Sequence, residues 1–114
     1  MERNHRQGEN EALFRRVNER IEQLAEGAFD IGDEGARAWD FVCECYAKTC
    51  TDPIVLTIAE YEAIRAAGER FVVAPAAEHV DTSIENVVDM SSRYWVVEKT
   101  DEAAEAARAD DPRR

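Results

Sequence analysis

No cluster of lysines and arginines appears anywhere in the 114 residues of this chain. The 14 basic side chains are outnumbered by 25 aspartates and glutamates, which leaves a formal net charge of −11. Because a DNA- or RNA-binding surface needs basic side chains to neutralise phosphates, this composition argues against nucleic acid as a partner. We expect the partner to be another protein, whose identity the sequence does not give.

Long hydrophobic segments are also missing. The N-terminal residues 1–7 are polar and lead into no apolar stretch of the kind found in signal peptides. No run approaches the length needed to span a bilayer. We therefore expect a cytoplasmic protein that does not associate with membranes. The cysteines number three, and an odd number in a reducing compartment argues against a disulfide framework.

Sequence motifs of the common enzyme classes are missing as well. The chain contains no P-loop, no G-x-G-x-x-G and no G-x-S-x-G. The carboxylates of Asp33-Glu34 and of Asp110-Asp111 are paired, but the members of each pair are adjacent in predicted loops and are expected to be solvated. We therefore expect a protein without catalytic residues.

What the chain does have is a cluster of cysteines, Cys43, Cys45 and Cys50, in the order C-x-C-x4-C. Residues at i and i+2 of a strand share one face, so Cys43 and Cys45 can point to the same spot. A bend after Cys45 can return Cys50 to that spot. Zinc is commonly bound by three cysteines and one histidine in a tetrahedron. The spacing predicts a zinc knuckle at the tip of a hairpin, although most zinc ribbons use C-x2-C.

The fourth ligand has to come from another element of the chain. His79 is the best candidate because it lies in a predicted loop, whereas His5 lies in the polar N-terminal tail. The carboxylates that could replace it are Asp40, Glu44 and Asp52. Three thiolates and one imidazole around Zn2+ leave no coordination position open, so such a site is structural rather than catalytic.

The alternative without a metal is that the cysteines are small residues in or near a core.

The leading prediction is therefore a non-enzymatic, zinc-stabilised module that binds or regulates another protein. Two alternatives stay open. Thiolate ligands can be oxidised with release of the metal, which would make the cluster a redox- or metal-responsive switch. A small thiol enzyme would instead pair Cys50 or Cys43, as nucleophile, with His79 as base, but the remaining thiols have no role in it.

The N-terminal part of the chain has the spacing of an amphipathic helix from Asn10 to Ala28. Its apolar positions are Leu13, Phe14, Val17, Ile21, Leu24 and Ala28. This stripe can pack on the protein's own sheet. The 3-4-3-4 spacing from Phe14 to Ala28 also forms two heptads of an a/d seam, which favours a homodimer through this helix.

The rest of the chain predicts short strands and a second helix. A hairpin is expected from Asp40 to Leu56, and a capping box formed by Thr57 and Glu60 is expected to start a helix that ends near Ala67. Further strands are expected at 71–74, 84–90 and 94–97. The last of these is apolar on both faces, which predicts a strand that is central in the sheet or covered on both sides.

Together these elements predict an α+β fold with a small, mainly antiparallel sheet. An N-terminal amphipathic helix and a central capped helix pack on that sheet, which carries a zinc-knuckle-like hairpin. Residues 1–9 are expected to be a flexible N-terminus and 10–99 a single zinc-binding domain. Residues 100–114 carry no large apolar side chain, so we expect an acidic tail that is partly helical and partly disordered.

Several of these segments resemble a group of small proteins and domains of high-G+C bacteria that have no assigned function. The shared pattern comprises a helix like 10–19, Phe41-Val42-Cys43-Glu44-Cys45, Cys50, Leu56-Thr57 leading to Glu60-Tyr61-Glu62, Arg65, Phe71, Val73-Ala74-Pro75, a histidine, and Tyr94-Trp95-Val96-Val97-Glu98-Lys99. In that group the histidine follows the proline in a Gly-His-Glu context, whereas this chain has Ala76-Ala77-Glu78-His79. The resemblance implies the same pattern of three cysteines and one histidine and implies no activity.

Overall fold

A computed structural model describes residues 2–28, 38–45, 50 and 52–113 of the chain. Its elements are helix α1 (Glu2–Ala28), strands β1 (Ala38–Val42) and β2 (Pro53–Thr57), helix α2 (Ile58–Arg65), strand β3 (Arg70–Val73), a 3-10 turn (Ala77–His79), strands β4 (Glu85–Met90) and β5 (Trp95–Lys99), and helix α3 (Asp101–Ala109). This is the predicted α+β class.

The strands form two small antiparallel sheets. β1 pairs with β2 as the predicted hairpin, with Phe41 opposite Ile54. The second sheet has the order β3-β5-β4, so β5 is central. The central position predicted for the strand 94–97 is confirmed. Val96 and Val97 point to opposite faces of the sheet and both are buried, as a central strand requires.

Helix α2 starts where its capping box predicts. The Glu60 N–H donates to the Thr57 hydroxyl at 3.0 Å, and the Thr57 N–H donates to the Glu60 carboxylate at 2.9 Å. The helix presents Ile58, Tyr61 and Ile64 to the core at the spacing of one helical face. Tyr61 stacks on Phe41 with the ring centroids 4.7 Å apart, which joins the helix to the hairpin.

Helix α1 turns its polar side toward the domain and leaves much of its apolar stripe exposed, which is the reverse of what the sequence pattern predicts. Leu13, Val17 and Leu24 are 49%, 38% and 58% exposed, although Ile21 does contact the core. Apart from Ala12, the side that is buried is polar. Its members are Glu11, Arg15, Asn18, Glu19 and Glu22. The expectation that the whole stripe packs on the protein's own sheet is therefore wrong.

The polar side of α1 is buried because its groups are hydrogen-bonded to the rest of the fold. The Asn18 amide pairs with Val42, accepting from its N–H and donating to its carbonyl, each at 2.8 Å. Arg15 donates to the carbonyls of Gly68 and Ala107 at 2.6 and 2.7 Å. Buried polar groups with such partners avoid the desolvation cost that an unpaired group incurs.

The C-terminal segment, expected to be partly disordered, packs on the domain in the structure. Ala104 and Ala107 of α3 are buried, since small side chains let this helix approach closely. Beyond the helix, Asp111 binds Arg65, and Arg113 binds Glu19 at 2.9 Å. These contacts link parts of the chain that lie far apart in sequence. Among the residues that the structure describes, no helix has the length and apolar character needed to cross a membrane.

Candidate metal centre

The three cysteines and His79 meet at the end of the β1–β2 hairpin where Val42 pairs with Pro53. The three Sγ atoms and a ring nitrogen of His79 all lie within 4.8 Å of one another. Nδ1 of His79 is 3.6 Å from Sγ of Cys43 and 3.7 Å from Sγ of Cys50. A tetrahedral zinc site with bonds of about 2.3 Å to sulfur and about 2.1 Å to nitrogen has S···N edges of roughly 3.6 Å. The two S···N distances therefore match the edge of a tetrahedral site, and the four atoms lie close enough together to hold one metal ion.

The end of the hairpin supplies the thiols. Cys43 directly follows β1, Cys45 lies two residues further on, and the Cys43 N–H donates to the Asp52 carbonyl at 3.3 Å, which holds the end of the hairpin closed. Cys50 precedes β2 on the returning side. Cys43 and Cys45 are buried, whereas Cys50 is half-buried. The site thus has two enclosed thiols and one thiol near solvent.

His79 ends the 3-10 turn Ala77–His79, which follows Pro75. The backbone N–H of His79 donates to the Ala76 carbonyl at 3.1 Å, so the turn fixes the backbone that carries the ring. The imidazole is buried against the thiols. The predicted loop therefore contains a short ordered turn that directs the ring to the cluster.

Asp52 orients the imidazole from the side opposite the thiols. Its Oδ2 lies 3.1 Å from Nε2 of His79. When Nε2–H donates to this carboxylate, the Nδ1 lone pair is left facing the sulfurs. Histidine ligands commonly donate their second ring N–H to a carboxylate in this way. Asp52, considered from the sequence as a substitute ligand, thus has a supporting position instead.

The thiols themselves are in an environment that disfavours thiolates unless a cation is present. The pKa of Cys43 is raised by its hydrogen bond with Cys45 and by burial, and burial raises the pKa of Cys50. Only the Ala74 N–H, which donates to Sγ of Cys43 at 3.2 Å, opposes this trend at Cys43. A dication would supply the missing compensation, because it displaces the thiol protons on binding.

Glu44 lies between two of the clustered cysteines but faces away from them. Its carboxylate accepts from the Asn18 amide at 2.8 Å, the Tyr61 hydroxyl at 3.2 Å and the Val72 N–H at 3.0 Å. Its own N–H donates to the Val72 carbonyl at 2.8 Å. The side chain is fully buried, and burial raises its pKa. Glu44 therefore joins the hairpin to α1, α2 and the second sheet, and it is not a substitute ligand.

The function of Glu44 in the fold was missed from the sequence, although a signal for it exists. The residue between two strand positions that share a ligand-bearing face must point to the opposite face. Asp40, the remaining carboxylate considered as a ligand, is exposed on β1 and is not part of the cluster. The side chain of His5 lies outside the part of the chain whose side chains are described.

Comparison with known proteins adds no family to this geometry. Neither protein-family models, nor curated proteins, nor solved structures match the chain. The residues of the site are thus the basis for its chemistry: three cysteines and one histidine that could hold a metal ion.

Proposed function

We propose that the chain is a non-enzymatic protein-binding or regulatory module whose fold is stabilised by Zn2+ bound to Cys43, Cys45, Cys50 and His79. The observation that carries the zinc site is the pair of S···N distances, 3.6 and 3.7 Å, at the edge length of a zinc tetrahedron. Three thiolates and one imidazole fill all four positions. A site of that kind has no place for substrate or water, which supports a structural function for the ion.

Zinc is the ion that best suits this donor set. Thiolates favour soft or borderline metals, and a closed tetrahedron of sulfur and nitrogen donors is typical of structural zinc. With all four ligands bound the site carries a net charge of −1 from three thiolates and one dication. The Ala74 N–H, which donates to Cys43, offsets part of that charge.

Elemental analysis of the purified protein tests the proposal. We expect one zinc per chain, retained through gel filtration, and a marked loss of zinc in His79→Ala and Cys45→Ser. His5→Ala is the matched control, since the chain has only two histidines, and it should keep its zinc. Less than stoichiometric metal in the wild-type protein after growth with added zinc, or equal metal in His79→Ala, would overturn the zinc site.

The surface proposed for protein contact is the outer face of α1, defined by Leu13, Val17 and Leu24. Residues four and seven positions apart lie on the same side of a helix, so these exposed apolar side chains form one continuous face. The proposed occupant is a second copy of the chain. Support comes from Val17 and Leu24, which are exposed and one heptad apart, a spacing that suits helix-to-helix packing, although Ile21 between them contacts the core.

The charges on this face are compatible with self-association despite the net charge of −11. Between residues 11 and 24, where the side chains of α1 are described, the exposed charged residues are Arg16 and Arg20, while Glu11, Glu19 and Glu22 are turned into the domain. Repulsion between two acidic copies is therefore smaller at this face than the net charge suggests.

A redox-responsive switch is a second candidate because Cys50 is half-buried while Cys43 and Cys45 are enclosed. In the reducing cytoplasm expected for this chain the thiols stay reduced, and an oxidant would reach Cys50 first. Mild peroxide should then release zinc in a manner that a thiol reductant reverses. Full zinc retention under peroxide would rule out this candidate and leave the structural site intact.

A further inference from the structure

A cavity of about 520 Å³ lies between α1, α3 and the second sheet, away from the cysteine cluster. This volume is within the range of pockets that bind small molecules. Its floor includes the buried residues Arg15, Phe71 and Lys99, and its rim includes the exposed residues Asp101 and Glu102. The proposed function uses none of these groups, so the cavity is open to a separate assignment.

Arg15 gives the floor a positive charge that has no direct counter-charge. The guanidinium is fully buried, and among the described residues it donates to the carbonyls of Gly68 and Ala107 alone. Two of its five N–H donors are thus used, and its Nε has no hydrogen-bond partner in the described part of the chain. No carboxylate of the described residues forms a salt bridge with it. A buried cation in this state is costly unless an anion compensates it.

Lys99 differs from Arg15 because its charge is already offset. Its ammonium binds the carboxylates of Glu11 and Glu85, both of them buried. Both cations lie over the ring of Phe71. Cζ of Arg15 is 4.4 Å and Nζ of Lys99 is 5.3 Å from the ring centroid. Arg15 is therefore the cation on the floor that lacks a counter-anion among the described residues.

The rim of the cavity has the opposite charge. Asp101, Glu102 and Asp110 line it, all three are exposed, and within the described ranges none of them forms an ion pair. Asp101 also has φ of 48°, the only positive value among the non-glycine residues that the structure describes. Such a conformation costs energy in an ordinary residue and is enriched at binding sites.

We propose that this cavity binds a small aminocarboxylate, with its carboxylate at Arg15 and its ammonium group at the acidic rim formed by Asp101, Glu102 and Asp110. The apolar part of the ligand lies along Phe71 and the alanines of α3 that line the cavity. A cation on the floor and carboxylates at the mouth favour a molecule whose two charges are several bonds apart, such as an ω-amino acid or a short peptide.

Calorimetric titration of the full chain, as purified, with four matched compounds tests this assignment. The probes are ε-aminocaproate, which carries both charges, caproate, hexylamine and hexanol. We expect ε-aminocaproate to bind with a dissociation constant at least about tenfold lower than each of the others. Binding of caproate or hexylamine with equal strength would overturn the two-charge assignment, and no binding of ε-aminocaproate would overturn the site.

Variants at the rim separate cavity binding from effects on folding. Ala106 lines the mouth and is exposed, so Ala106→Leu should fill it and weaken ε-aminocaproate binding about tenfold or more. Ala109→Leu is the control, because it adds the same group on the same helix outside the cavity. Equal effects of the two variants, or none from Ala106→Leu, would contradict the proposal.

Charge variants test each end of the ligand. Glu102→Gln should weaken ε-aminocaproate binding and leave the weaker caproate binding unchanged, because only the ammonium group meets the rim. Arg15→Met should remove binding of both carboxylates. If the loss of the two Arg15 hydrogen bonds prevents that variant from folding, the rim variants still decide the question: unchanged affinity in Glu102→Gln would overturn the rim assignment.

Discussion

The carboxylate of Asp52 lies 3.1 Å from Nε2 of His79, while Nδ1 of the same ring faces the sulfurs of Cys43 and Cys50. We predict that Asp52→Ala weakens zinc binding about 10- to 100-fold, because the ring loses the contact that fixes its proton and orientation. Competition with a chromogenic chelator measures the change. Asp40→Ala, an exposed carboxylate on the same hairpin, should bind zinc as the wild type does. Equal affinities of the two variants would show that Asp52 does not support the site.

Glu44 is the second test of how the site is built into the fold. Glu44→Ala leaves the Asn18 amide, the Tyr61 hydroxyl and the Val72 N–H without their buried acceptor. We predict a loss of about 3–5 kcal/mol in the free energy of unfolding, since each buried unsatisfied group carries its desolvation penalty. Urea unfolding in saturating zinc gives the value. Glu105→Ala, at an exposed carboxylate of α3, should change it by less than about 0.5 kcal/mol.

These two residues also show which parts of the site the sequence can predict. The cluster of candidate ligands was predictable because its three cysteines lie within eight residues of one another, where local backbone geometry decides which side chains share a face. The histidine was predictable because it lay in a predicted loop. The capping box of Thr57 and Glu60 is equally local. The supporting position of Asp52 was not predictable, because it depends on which ring nitrogen faces the thiols.

The orientation of α1 could not be predicted for a different reason. Apolar periodicity predicts that a helix buries its apolar side, but here distant partners satisfy the polar side. Asn18 bonds to Val42, and Glu11 binds Lys99, which is 88 positions away in sequence. A sequence pattern within the helix holds no information on such partners. The packing of the C-terminal segment depends on an equally distant partner, since Arg113 contacts α1 across 94 positions.

The outer face of α1 gives a prediction about self-association. We expect Leu13→Gln combined with Val17→Gln and Leu24→Gln to abolish a dimer that sedimentation equilibrium detects in the wild type at micromolar concentration. The same triple variant should lose little stability as a monomer, because the three side chains are already exposed. Asn18→Ala, on the opposite face, should instead lower the stability of the monomer and leave the dimer contact in place.

The salt dependence of that dimer follows from the charge of the chain. Two copies with a net charge of −11 repel one another, and added salt screens this repulsion. We therefore expect tighter self-association in about 0.3 M salt than in about 0.05 M salt. A wild-type protein that sediments as a monomer under both conditions would remove the second copy as the occupant of the α1 face.

Glu11 predicts how stability changes with pH. Burial raises the pKa of this carboxyl from its ordinary value of 4.5 to about 7, although the Lys99 ammonium acts against the shift. Below pH 4.5 the group is protonated in both the folded and the unfolded chain. As the pH rises from there to about 7, the unfolded chain releases the proton first, so this group's contribution to stability is lost. The loss amounts to about 3 kcal/mol when complete.

Glu11→Gln tests this pH dependence because the amide cannot ionise. We expect the difference in unfolding free energy between the variant and the wild type to move in favour of the variant between about pH 5.5 and about pH 8. Urea unfolding of both proteins in saturating zinc measures it, and the pH dependence of the thiol ligands cancels in the comparison. Glu105→Gln, an exposed carboxylate, should follow the wild type throughout. A difference between Glu11→Gln and wild type that stays constant with pH would mean that Glu11 is ionised across the range and held by Lys99.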